Sequence, residues 1–176
     1  RELFGKFRHE YLIEQTQFNG AKDIYEEDTL IKFSFRNCVK DIYYFLRSSS
    51  KLICKDRSNY SINNGENSGN PIFNTNIIIN DINILSYTGT YTNYIVPLES
   101  YNSTPSDGVN VIKFGIKDEK IQPKGNLNFS MLDNTYFRIQ IDNSYLNKVN
   151  KKIYIYANSY NILRIMGGQA GLAYVK

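Results

Sequence analysis

An all-β sandwich of about eight strands, the number of a jelly roll, is the class this sequence predicts, and three observations carry it. Apolar residues alternate with polar ones over short runs along most of the chain, the period of a half-buried strand. The chain holds 15 Tyr and 10 Phe with no Trp, a composition that suits pleated surfaces. No stretch of ten or more residues carries a clean helical period, which leaves strand as the prevailing element.

The strands follow in order. The first is expected over residues 10–18 and the second over 29–35, where Leu30 and Lys32 take one face and Ile31, Phe33 and Phe35 the other. A third spans 39–47 and a long apolar fourth spans 76–85. In 109–116, Val109, Val111 and Lys113 oppose Asn110, Ile112 and Phe114. Both of its faces carry apolar side chains, so one is expected to meet the core and the other a neighbouring subunit. Residues 127–130 with 136–141, then 152–157, and finally 162–166 with 172–175 complete the set. Residues 23–28 are the best candidate for a short helical turn. Two long connections, 48–76 and 86–107, are rich in Ser, Asn, Gly, Thr or Pro and read as surface loops.

Length and composition bound the function. At 176 residues the chain suits one domain. No run approaches the roughly 20 apolar residues of a membrane-spanning helix, and the opening RELFGKFRHE lacks the apolar core of a signal peptide. The net charge of +4 is dispersed, and its one tight basic group, Lys148, Lys151 and Lys152, sits between strands where lysines solvate a turn. Direct binding of nucleic acid or membrane is therefore not expected. Cys38 and Cys54 lie sixteen residues apart, without a CxxC pair or metal-finger spacing, and read as free thiols, with a disulfide open if their strands are neighbours.

Catalytic patterns are missing. His9 is the single histidine, which excludes a His-based metal cluster and the several-histidine site of a cupin enzyme. The acidic pairs Glu26–Glu27 and Asp118–Glu119 are adjacent in turns and read as solvated charges. Gly167, Gly168 and Gly171 lack the Gly-Lys-Ser/Thr ending of a phosphate loop and instead suit a tight reversal between two short strands. Gly125 and Gly171 are expected at tight-turn positions. Gln122-Pro123-Lys124-Gly125 reads as a type I turn delivering Asn126 into a strand. The sequons at Asn59, Asn102 and Asn128 read as structural asparagines in an Asn-rich chain. No catalytic residue, metal ligand, cofactor or small-molecule substrate is assigned.

Four stretches in order along the chain carry a resemblance. They are EYLIEQTQFNG (10–20), IKFSFRNCVKDIYYF (31–45), GVNVIKFGIKDEKIQPKGNLNFSMLD (108–133) and NILRIMGGQAGLAYV (161–175). Together they resemble the major capsid proteins of the nucleocytoplasmic large DNA viruses, over less than half of the residues. The matching positions include Gln122, Pro123, Gly125, Asn128, Phe129 and Asp133, and in the tail Leu163, Arg164, Met166, Gly171, Leu172 and Tyr174. The sequence departs from the family pattern at Asn37, Cys38, Lys124, Met131 and Gly167, so side-chain contacts at those points are not carried over.

The resemblance implies the second barrel of a double jelly-roll capsid protein, with residues 1–20 as linker and entering strand and 21–176 as the C-terminal barrel. It implies a homotrimer forming a pseudohexameric capsomer, contacts with other capsid proteins, a place in the virion shell and assembly in the host cytoplasm. Arg1 is not preceded by an initiating Met, consistent with the C-terminal portion of a longer chain. The alternative is a carbohydrate- or receptor-binding jelly roll using Tyr87, Tyr91, Tyr94 and Tyr101.

Overall fold

The computed structural model describes residues 5–49, 57–61, 69–115, 124–142 and 151–174. The expectations for Cys54, Ile116, the pair Asp118–Glu119, Gln122, Pro123, Lys148 and Val175 fall outside the described residues.

Eight principal strands form two antiparallel sheets. β1 (His9–Ile24), β9 (Lys151–Met166), β3 (Cys38–Ser48) and β6 (Val109–Lys113) lie side by side in one sheet. β2 (Asp28–Lys32), β8 (Thr135–Ile141), β4 (Ile72–Ile79) and β5 (Ile82–Thr88) lie side by side in the other. Two short strands complete the first sheet: β7 (Leu127–Asn128) pairs β3, and β10 (Gln169–Leu172) pairs the end of β9. Among the eight principal strands the chain passes back and forth between the sheets, and only β4 and β5 follow each other within one. This wrapping is the jelly roll that the strand count predicted.

The core lies between the sheets, where the inward phase of each strand is apolar. Ile42, Tyr44 and Leu46 of β3 and Ile153, Ile155 and Ala157 of β9 meet Ile77 of β4 and Phe137 and Ile139 of β8, all at 0% exposure. Each such large side chain contributes about 1.5–3 kcal/mol by leaving water. Tyr44 satisfies its buried hydroxyl by donating to Thr75 Oγ1 at 3.1 Å.

A seam of side-chain amides stitches irregular backbone to the first sheet. Asn19 Nδ2 donates to the Lys32 carbonyl at 3.2 Å while its Oδ1 accepts from the Ser34 N–H at 2.7 Å. Gln17 treats Arg36 the same way, donating to its carbonyl at 2.6 Å and accepting from its N–H at 3.0 Å. Asn161 holds both the carbonyl and the N–H of Tyr174, at 2.8 and 3.2 Å. An amide offers one donor and one acceptor side by side, so it substitutes for a strand neighbour. This is why β2 stops at Lys32, although the alternation of Phe33 and Phe35 continues to Phe35. Both phenylalanines still reach the core, where their rings pack against Phe129 at 5.7 and 5.9 Å.

Several expectations are corrected. Residues 76–85 are not one strand: Asn80 (φ 49°) and Asp81 (φ 65°) turn the chain into the β4–β5 hairpin. Asn and Asp tolerate the left-handed region, so a tight turn forms without glycine. Residues 23–28 form no helical turn; they end β1 and lead directly to β2. The two strands expected at 152–157 and 162–166 are one strand, β9, because the polar interruption is satisfied inside: Ser159 Oγ donates to the Gln15 carbonyl and Asn161 holds Tyr174. Lys151 is a buried strand residue at 2% exposure, and burial lowers its pKa; Lys152 pairs with Asp23 at 3.6 Å.

The glycines also divide differently. Gly167 (φ 59°) and Gly168 (φ 80°) make the β9–β10 reversal, and Gly125 (φ 95°) makes the turn before β7. Gly171 is not a turn residue; it is paired with Arg164 inside β10, has no positive φ, and has open space where a Cβ would point.

Candidate assembly surface

The outward phase of the first sheet has three parts. Across β1, β9 and β3, the rings of Phe18, Tyr156, Tyr154 and Phe45 stand in a stack, with centroids 4.7–6.1 Å apart and planes within 20° of parallel. Tyr60 adds a tilted ring against Phe45 at 4.5 Å. The register places these residues opposite one another, so the stack follows from period-two alternation across paired strands. Rings stacked in this way use their flat faces on each other.

The β6 side of the same face is covered by the chain itself. Residues 91–101, placed in the sequence reading within a loop, form a π-helical turn (Tyr91–Ile95) that runs into helix α1 (Val96–Tyr101). Thr92 Oγ1 donates to Asn110 Oδ1 at 3.0 Å and Asn93 Nδ2 to the Val109 carbonyl at 2.7 Å. At the far end Tyr101 Oη donates to Asp41 Oδ2 at 2.7 Å, and Tyr43 Oη lies 2.8 Å from Tyr101 Oη. Because Tyr101 has spent its only proton on Asp41, Tyr43 is the donor. Burial, then the charge of Asp41, pushes the Tyr43 pKa up to about 12; burial also raises that of Tyr101, with help from the bond it donates to Asp41. The helical segment leaves Val111 at 2% exposure. The second apolar face of β6 is therefore met within the chain, contrary to the expectation of a neighbouring subunit there.

Beyond the stack, towards β10, lies an open groove of about 310 Å³. Leu12, Cys38, Tyr160, Ile162 and Tyr174 line it, and Asn37, Asn126 and Asn128 stand along it. Its position follows from β-pairing: β3 begins at Cys38, opposite Tyr160, and β10 ends at Leu172, opposite Leu163, so on the side away from β1 no strand pairs β9 between them. Cys38 is a free, half-buried thiol. Each of the four stretches that carry the family resemblance contributes to this groove.

The individual motif residues fall into two groups beside it. Gly125, Asn128 and Phe129 lie on the β7 side: Asn128 Oδ1 accepts from the Ser130 N–H at 3.1 Å, capping the short helical turn Phe129–Met131, and Phe129 enters the core at 4% exposure. Asp133 is exposed between that turn and β8. On the other side Leu163 pairs Tyr11 and Leu172, Arg164 donates to Glu10 at 2.8 Å, and Met166, Gly171 and Tyr174 are exposed. Arg8 and Arg164 hold the Glu10 carboxyl below its ordinary pKa. The amides Gln17, Asn19 and Asn161 and the helical segment escaped sequence reading. Their signal, polar residues on the inward phase of β1 and β9, was present but read as interruption.

The tyrosines of the carbohydrate alternative do not form one surface. Tyr87 and Tyr91 stack on each other at 5.0 Å, and Tyr101 has its hydroxyl bound to Asp41. Tyr94 stands exposed at 54%.

Comparison with known proteins now bears on the whole chain. Residues 1–171 match the family described as large eukaryotic DNA virus major capsid protein. The major capsid protein of Phaeocystis pouchetii virus is 40% identical over 87 residues, 49% of this chain and 17% of that protein. That of Pyramimonas orientalis virus is 26% identical across 99% of this chain and 45% of its own length. Among solved structures, the quasi-atomic model of the PBCV-1 virus capsid superposes with a TM-score of 0.82 at 22% identity, covering 99% of this chain and 54% of that one. The chain thus spans about half the length, or less, of the relatives it matches. With the family profile running through both sheets, the chain belongs to the major capsid proteins of large eukaryotic DNA viruses.

Proposed function

We propose that the protein builds a virus shell, as one barrel of a double jelly-roll capsid protein whose three copies form a pseudohexameric capsomer. The family match over residues 1–171 carries this reading, and the superposition on a capsid structure supports the fold it requires. The role is structural: the relatives are capsid proteins, and their work is association. In this reading β1, which continues past position 20 through a bulge between Phe18 and Ala21, brings the chain from an entry segment into the C-terminal barrel. Partners are further copies of the chain and other capsid proteins, and assembly takes place in the host cytoplasm. Tyr87 and Tyr91 stack on each other and Tyr101 is bonded to Asp41, so the tyrosines of the glycan-binding alternative form no common platform, which weighs against it.

Peptide mapping of purified virions tests the proposal. The chain is expected among the most abundant shell proteins, and its absence from intact particles would overturn the reading.

A further inference from the structure

From a gap that opens where two paired chains part at one end of the second sheet, we infer a binding site for a compact zwitterion, a free α-amino acid held between Lys32 and Asp133 over the hydroxyl of Thr135. β2 and β8 run together as far as Phe33, whose N–H donates to the Thr135 carbonyl at 3.0 Å. Beyond that bond the chain after Phe33 is drawn to the first sheet by Asn19 and Gln17, while the chain before Thr135 arrives from the turn at Phe129. The two meet again where the Phe129 N–H donates to the Asn37 carbonyl at 3.0 Å. A pocket of about 440 Å³ lies between these bonds, a volume that suits a small molecule.

Thr135 is the residue that points to a ligand. It takes the inward phase of β8, is 5% exposed and lines the pocket, and its hydroxyl has no hydrogen-bond partner. The other two buried threonines are both satisfied: Thr75 Oγ1 accepts from Tyr44 at 3.1 Å, and Thr92 Oγ1 donates to Asn110 at 3.0 Å. A hydroxyl withdrawn from water without a partner is destabilising, and buried polar groups in folded proteins are seldom left so. A ligand that bonds it removes that penalty.

The charges at the pocket decide the class of ligand. Lys32 and Asp133 both line it and both are exposed, and among the described residues neither has an ion-pair partner. An anion alone would meet the carboxylate of Asp133, and a cation alone would meet the ammonium of Lys32. An α-amino acid carries both charges on one carbon, so its ammonium faces Asp133 while its carboxylate accepts from Lys32 and from the Thr135 O–H. Phe33, Phe35 and Phe129, which belong to the core, give its carbon atoms an apolar wall.

Methyl NMR of the purified, threonine-labelled protein tests the site, with glycine as the probe. Glycine is expected to shift the Thr135 methyl signal saturably, while methylamine and acetate, each carrying one of its two charges, bind at least about tenfold more weakly. Thr135→Val removes the hydroxyl and keeps the shape. Glycine binding to it, followed at the Asn134 amide, should fall about tenfold, with the melting temperature unchanged or raised. Asp133→Asn should weaken glycine and methylamine and leave acetate as it was. A Thr135 signal unmoved at every glycine concentration would mean that water alone meets the hydroxyl, and would overturn the site. Acetate or methylamine binding as tightly as glycine would overturn the zwitterion. A lowered melting temperature in Thr135→Val would show the hydroxyl bonded within the fold, and would equally end the proposal.

Discussion

Gly125 and Gly171 show at the residue scale how a sequence signal divides once backbone angles are known. A Cβ on Gly125 would lie 2.7 Å from the Gly115 Cα, at φ 95°. Gly125→Val is therefore expected to cost about 1–3 kcal/mol, and Gly171→Val to stay within about 0.5 kcal/mol, both read from denaturant midpoints. Equal losses would contradict this assignment. Asn19 supplies a second case, since its amide satisfies the backbone on both sides of Phe33. Asn19→Leu leaves the Lys32 carbonyl and the Ser34 N–H without their part-buried partner and should cost about 1 kcal/mol, with amide exchange faster at Ser34. An unchanged exchange rate would show that the segment holds itself. Asparagine was legible only as composition: Asn37, Asn80, Asn102 and Asn134 all have positive φ, and others serve as caps or clamps. Which asparagine does which depends on partners distant in sequence.

At the scale of elements, alternation touched every principal strand but merged β4 with β5, divided β9 in two and misplaced several ends. The β4–β5 hairpin was hidden because NIIINDINIL (76–85) is apolar on both sides of its turn. The end of β2 was hidden because amides took over its pairing. The helical segment was hidden because a π-helical turn followed by a six-residue helix is too short to set a period. That segment carries its own pH dependence. The folded pKa of Tyr43 is raised to about 12 from 10.0, so the folded state prefers the neutral hydroxyl. Its contribution is complete below pH 10 and is lost as pH rises towards about 12. Tyr101 shifts in the same direction. Thermal stability should therefore fall above about pH 10, and less steeply in the Tyr43→Phe variant. A melting temperature flat to pH 12 would contradict the buried Tyr43–Tyr101–Asp41 arrangement.

For the whole molecule, the jelly roll follows from consecutive strands alternating between two sheets, and its core is continuous through β3, β9, β4 and β8. Ile155→Ala should cost about 2–5 kcal/mol because Ile155 is fully enclosed. The tail behaves differently. Among the described residues, none beyond Ala157 belongs to the main core, so the resemblance in the tail marks pairing with β1, the Tyr174 clamp and the groove. The family resemblance was readable in the sequence as motifs in order. The groove was not, because Leu12, Cys38, Asn128 and Tyr174 meet only through strand register.

Association is the central claim, and sedimentation equilibrium of the purified protein tests it most directly. The account predicts a discrete species of three times the chain mass. A well-behaved monomer across a wide range of concentration would contradict it.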